Sequence, residues 1–354
     1  MTTDRERGRR GQRLATGRRR RREGYKSPAD KRFRMKIRNL VGSALLGVGA
    51  LAAVNTGLRY EGELEPPLAG EEGTFRWRGM DVAFTEGGDP ADPDLVLLHG
   101  INAAGSAGEW REVFGDLTAD YHVVAPDLPG YGRSDRPPLR YSAALYEDFV
   151  HDFLAEFDEP AVVASSLSAA YAAAAADTTG STDDGVALGG FVGVCPTAVA
   201  GPSPPKSWLC ELLRSPLLGP TVFNLITSKP SIRYFNADHG YYNPENPAEE
   251  WIEYEWHTTH AENARFAPAS FISGYLNSDL ELATALADLE VPPTIVWGRE
   301  AEVSPLVDGR ELADASGARL VVFDRARLLP HVEHPNRFLE TVRESLVAGA
   351  AATP

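Results

Sequence analysis

From about residue 73 to 350, short apolar runs alternate with stretches of helical spacing. Phe75–Trp77 and Met80–Thr85 predict a short antiparallel opening. Leu95–His99 is apolar up to its histidine and meets Gly100, the pattern of a strand buried on both faces. A helix is predicted over Ser106–Ala119 and a strand over Tyr121–Pro126. Ser142 is an N-cap candidate for a helix carrying Leu145, Phe149, Phe153 and Phe157 at four-residue spacing. The pattern continues with strand Ala161–Ser165, helix Leu167–Asp177, strand Leu188–Cys195, strand Thr294–Trp297, helix Leu306–Ala315, strand Leu320–Phe323 and helix Asn336–Val347. Strands alternating with helices at this spacing predict a mostly parallel sheet with crossover helices.

Residues 199–290 break the rhythm. They hold no clear buried strand, several helical pieces and 12 aromatic residues, including Trp208, Tyr234, Trp251 and Trp256. An insertion of this kind between the sixth and seventh strands predicts a helical cap, with the α/β core formed by 73–198 and 291–350. The two halves of the N-terminal region differ. Residues 1–38 are a basic tail with the run Arg18–Arg22, and residues 39–58 carry no charge before Arg59 closes the stretch. Twenty uncharged residues are just long enough for a transmembrane helix. Basic residues before it and acidic residues after it predict a single-pass anchor with the main domain on the extracytoplasmic side. A cleaved signal peptide is the alternative, because the strictly apolar part is short and Ala50-Leu-Ala52 offers a small-residue cleavage site. Residues 59–72 read as a polar linker.

The chain of 354 residues is 43% apolar and has a net charge of −15, and that charge is unevenly spread. Residues 1–40 hold 16 basic and 4 acidic side chains, leaving 19 basic and 46 acidic among the other 314. Only Lys206 and Lys229 are lysines beyond residue 40. An acidic, lysine-poor surface points to salt adaptation and argues against nucleic-acid binding by the main domain. Two cysteines, Cys195 and Cys210, are too few for a disulfide scaffold. The pairs His257/His260 and His331/His334 have i,i+3 spacing without the Glu of a His-Glu-x-x-His metal site, and read as surface pairs. No metal and no cofactor site is expected.

Four motifs occur in order: Leu97-Leu-His-Gly100, Asp127-Leu-Pro-Gly-Tyr-Gly-Arg-Ser134, Ala164-Ser-Ser-Leu-Ser168 and Val296-Trp-Gly298. In this order the chain resembles the α/β-hydrolase fold superfamily over roughly residues 73–350. The resemblance implies an α/β-hydrolase fold. It places a nucleophile at Ser166, on a strand-to-helix turn flanked by small residues, with the backbone N–H groups of Ile101 and Leu167 as the oxyanion hole. It also places the usual acid at Ala301 and the usual histidine at Leu328, neither of which transfers a proton. The substitutes nearby are His331 as base, with His334 three residues beyond it, and Glu302 or Glu300 as the orienting carboxylate. Two function classes follow. One is a membrane-anchored serine hydrolase acting on an ester or related acyl substrate through Ser166, His331 and Glu302. The other is a catalytically inactive relative that binds a small apolar ligand or a partner.

Overall fold

Runs of Val, Leu and Ala five residues long, too short and too branched for stable helices, form the centre of a sheet. The computed structural model describes residues 54–176 and 185–352. The basic tail, and residues 39–53 of the uncharged stretch, lie outside them; residues 54–57 are helical. Among the described residues no helix is long and apolar enough to cross a membrane.

The strands are β1 (Glu71–Trp77), β2 (Met80–Gly87), β3 (Asp94–Leu98), β4 (His122–Pro126), β5 (Ala161–Ser165), β6 (Gly190–Val194), β7 (Thr294–Gly298) and β8 (Arg319–Phe323). They form one sheet in the order β1-β2-β4-β3-β5-β6-β7-β8. β1 and β2 run antiparallel, and all the pairings from β4 to β8 are parallel. Alternate residues of the central strands feed two core layers. Val96, Leu98, Val162 and Ala164 pack with α2 (Ala143–Leu154) and α3 (Leu167–Ala176). Leu95, Leu97, Val163 and Val192 pack with Trp110, with Phe114 of the single-turn α1 (Phe114–Leu117), and with Phe338 and Val342 of α12 (Pro335–Ala352). The Ser142 hydroxyl caps α2 by accepting the Leu145 N–H at 3.3 Å, as its position predicts. α3 is largely alanine and buried all round, so a strong helix former with no bulk sits tight against the sheet.

The segment predicted as one helix over Ser106–Ala119 is instead a 3-10 turn, Ala107–Trp110, followed by α1. Side-chain ties fasten the start of this segment to the neighbouring loops. Asp127 Oδ1 accepts the Ala107 N–H at 2.7 Å, and the Glu109 carboxylate turns inward to Gly100.

Between β6 and β7 lies the cap: α4 (Ser207–Arg214), α5 (Gly219–Ile226), α6 (Lys229–Phe235), a π turn (Asn236–Gly240), α7 (Glu249–His260), α8 (Phe266–Ile272) and α9 (Leu282–Ala287). After β7 come α10 (Leu306–Ser316), β8, the single turn α11 (Pro330–Glu333) and α12. The stretch ahead of β1 packs on the cap. Asn55 Nδ2 donates to Thr221 Oγ1 at 2.8 Å, and Asn224 Nδ2 donates to Asn55 Oδ1 at 3.3 Å. The Tyr60 N–H donates to the His260 carbonyl at 2.9 Å, and its ring stacks on His257 with centroids 4.0 Å apart.

Candidate active site

The chain turns sharply where β5 meets α3. Ser166 holds φ = +55°, a left-handed conformation that costs a non-glycine residue of the order of 1–3 kcal/mol. The neighbouring chain holds it there, with the Ser166 N–H donating to the Val194 carbonyl at 2.9 Å and the Thr197 N–H donating to the Ser166 carbonyl at 3.3 Å. Ser166 is half-buried. Its Oγ makes no hydrogen bond among the described residues. The N–H groups of Ile101 and Leu167 also have no partner among the described residues. The Leu167 N–H opens α3, so no earlier helical carbonyl is available to it.

The loop after β3 is fixed by buried polar ties. His99 Nε2 accepts the Leu128 N–H at 3.0 Å, so the ring proton sits on Nδ1 and is donated to the Gly100 carbonyl at 2.9 Å. Burial pushes the His99 imidazole down, against the raising pull of Asp127 and Glu109, which fits this neutral tautomer. Ser168 Oγ donates to the His99 carbonyl at 2.6 Å and so ties the start of α3 to the same loop. A side chain at position 100 would be tight, because a Cβ there would lie 3.0 Å from Ser165 Oγ and 3.2 Å from Glu109 Oε2, and both would have to give way slightly. The Asp127 motif is architectural. Its buried carboxylate accepts from Ala107 N–H and from Arg133 N–H and Nε at 2.7, 3.0 and 3.2 Å. A side chain at Gly132, where φ is +49°, would collide with that carboxylate.

The loops after β7 and β8 carry the other expected residues. Ala301 is buried beside Trp297, Leu306 and Cys195. Glu300 Oε2 accepts the Ala326 N–H at 3.1 Å. Glu302 is 72% exposed in its side chain and pairs with Arg327 at 3.2 Å. The structure therefore does not bring Glu302 to His331. His331, in the first turn of α11, is fully buried against Trp110 and Phe338, with ring centroids 4.6 and 5.6 Å away. The carboxylate that faces it is Glu109, with Nε2 to Oε1 at 3.4 Å. This is a charge contact rather than an aligned hydrogen bond, since neither His331 nitrogen nor Glu109 Oε1 has a hydrogen-bond partner among the described residues. Glu109 Oε2 accepts the Gly100 N–H at 2.8 Å. Burial alone would raise the Glu109 carboxyl. The His331 imidazole, the Ser165 hydroxyl and His99 together outweigh it and hold the carboxyl below its ordinary value. His334 lies apart, with Nε2 at 3.0 Å from the Arg325 carbonyl.

Leu328 lines a cavity of about 420 Å³ between cap and core. Asn102 to Ser106, just after Ile101, form one side, and Glu109, Arg111, Tyr241, Trp251 and Glu255 supply its polar and aromatic wall. Ser166 is not among the lining residues. Both cysteines are free and buried, and burial pushes the Cys195 thiol up to about 12, so it is not a thiolate nucleophile at neutral pH. His257 pairs with Glu253 at 3.3 Å, and His260 stacks on Trp256. Each of the two has a packing partner, and among the described residues no three metal-ligating side chains converge.

A sequence model described as the alpha/beta hydrolase family matches residues 95–341. The chain belongs to the alpha/beta hydrolase family. Among curated relatives of this alpha/beta hydrolase, an uncharacterized protein of Mycobacterium tuberculosis is 38% identical over 66 residues, 19% of either chain. The 2-hydroxy-6-oxo-6-(2'-aminophenyl)hexa-2,4-dienoic acid hydrolase of Metapseudomonas resinovorans is 32% identical over 77 residues, 22% of this chain and 26% of its own. These matches therefore span about a fifth to a quarter of the relatives' length. The solved 2-hydroxy-6-oxo-6-phenylhexa-2,4-dienoate hydrolase of Rhodococcus sp. strain RHA1 superposes with a TM-score of 0.64 at 22% identity, over 78% of this alpha/beta hydrolase and 99% of its own chain. At that identity the likeness is one of fold.

Glu109 and Glu255 are the site residues that the sequence reading passed over. Both had a signal. Glu255 lies on one helical face with Ile252 and Thr259, and that face is the buried one. Glu109 directly precedes the buried Trp110 in a stretch whose other residues are apolar or small.

Proposed function

We propose that the chain is a serine-type hydrolase of apolar acyl substrates, held at a membrane by the uncharged stretch 39–58, with Ser166 as its nucleophile. What supports the reading is the elbow. A strained left-handed serine stands at a strand-to-helix turn, and the N–H groups of Ile101 and Leu167, to which the resemblance gives the oxyanion-hole role, have no partner among the described residues. In this reading His331 is the proton acceptor and Glu109, not Glu302, is the carboxylate that balances its charge. The base engages Ser166 when substrate fills the cavity, since catalytic hydrogen bonds are often long or absent without a ligand. The cavity wall suits an apolar acyl chain.

A second reading has its own observation. Ser166 Oγ has no hydrogen-bonded base, and Leu328 and Ala301 fill the places where the resemblance puts the histidine and the acid. On that reading the fold is a binding protein. Labelling of the full chain with a fluorophosphonate, together with turnover of short and long acyl esters, separates the two. The hydrolase reading expects labelling and turnover that disappear in Ser166→Ala. It expects a rate loss of about 10²-fold or more in His331→Ala, and a change below about twofold in Glu302→Gln. No labelling and no turnover at molar KCl rejects the hydrolase and leaves the binding protein.

A further inference from the structure

The cavity has one polar wall, and the elbow does not account for it. Glu255 of α7 is buried and lines the cavity. Its Oε2 accepts from Asn236 Nδ2 of the π turn at 2.6 Å. Arg111 lies beside it with its guanidinium 4.0 Å over the Trp251 ring, and donates to Tyr241 Oη at 3.1 Å and to the Gly108 carbonyl at 3.2 Å. Glu109 lines the same cavity, is itself more than nine-tenths buried, and keeps Oε1 without a hydrogen-bond partner. Tyr241 lies within electrostatic reach of Arg111, Glu255 and Glu109, which places the four in one neighbourhood. His239, also in the lining, pairs with Asp238 at 3.4 Å.

Two carboxylates, Glu109 and Glu255, line this wall beside a single guanidinium, which donates to Tyr241 and to the Gly108 carbonyl and whose Nε also pairs with Glu112, outside the lining, at 3.4 Å. The wall is therefore acidic, and its guanidinium is shared with a third carboxylate. A ligand group that donates hydrogen bonds or carries positive charge relieves this, whereas an anion adds a third negative charge in a low-dielectric cavity. Ile226, Ile232, Phe271, Ile272 and Leu329 supply an apolar part of the lining.

We infer that the Glu255 wall is a head-group site that selects an amphiphile with an alcohol or amine head over one with a carboxylate head. The inference rests on the cavity being the substrate site of the function proposed above, and it names the substrate class. Burial pushes the Glu255 carboxyl up to about 7, against the pull of Asn236, Arg111 and Trp251, so at pH 8 it is ionised.

Equal-length probes test this by binding alone. Titration calorimetry of the full chain at pH 8 with 1-octanol, octylamine and octanoate should give Kd values at least tenfold lower for the alcohol and the amine than for the carboxylate. Glu255→Gln should weaken octylamine about tenfold and bring octanoate to within about threefold of it. Arg111→Gln, which leaves the carboxylates unopposed, should move the ranking the other way, tightening octylamine and weakening octanoate. Equal binding of octylamine and octanoate to the unmodified chain, an unchanged ranking in both variants, or no binding of any probe overturns the inference. A chain that binds the amine in this pattern yet takes no fluorophosphonate label keeps the head-group site and loses the hydrolase.

Discussion

Replacing Glu255 with Gln should change how the stability of this protein depends on pH, in a calculable way. The buried carboxyl titrates at about 7 in the fold against an ordinary 4.5, with burial as the main cause and Asn236, Arg111 and Trp251 pulling the other way. A group whose proton is held more tightly in the folded state contributes stability that is present at low pH and lost as pH rises through the folded value. Each tenfold difference in proton affinity is worth about 1.4 kcal/mol, so the whole loss is about 3 kcal/mol, of which roughly 2.5 falls between pH 5 and pH 8. Gln keeps the shape and accepts from Asn236 but does not ionise. Urea unfolding of both chains at pH 5 and pH 8 supplies the test, because the difference between the chains cancels every other titrating group. The variant should gain on the unmodified chain by roughly 2–3 kcal/mol as the pH is raised. Parallel stability curves would show that Glu255 is hydrated or paired at neutral pH, and the reasoning built on its burial would fall.

Two further outcomes follow from other parts of the molecule. Glu109→Gln removes the charge facing the fully buried His331 and should cost about 1–3 kcal/mol in urea unfolding at pH 7, with an unchanged midpoint counting against the pair. The excess of acidic side chains beyond residue 40 repels itself at low ionic strength and is screened at a Debye length of about 3 Å in 1 M salt, so the melting temperature should rise with KCl toward molar concentrations; a flat or falling trend removes the salt adaptation.

The sheet was legible because each motif sits where strand chemistry ends. His99-Gly100 follows β3, Asp127 follows β4, Ser166 follows β5 and Gly298 closes β7, each preceded by an apolar run that only a doubly covered strand accommodates. The elbow was legible from the small residues Ala164 and Ser168 that permit it. The Ser106–Ala119 segment has genuine helical apolar spacing, but it divides into a 3-10 turn and α1, and the acceptor for its first N–H, Asp127, arrives from the end of the next strand. The partner of His331 was harder still. Glu302 flanks Ala301, where the resemblance puts the acid, but it reaches Arg327 at the surface, and Glu109 meets the imidazole where the 3-10 turn and α11 pack around Trp110. Proximity along the chain favours local candidates, whereas a buried imidazole takes its counter-charge from whatever element shares its core layer.

Where the N-terminal segment fastens also has a mechanical meaning. Asn55 is tied to α5 and Tyr60 to the end of α7, and the same two helices roof the cavity with Ile226, Trp251 and Glu255. Tension along the chain from the N-terminal side is therefore borne first by that roof, and passes to β1 only after those ties give way. Ser166 and the Glu109–His331 pair, anchored in the sheet and the loops at its edge, lie off the load path. A tug that loosens the roof leaves the elbow standing.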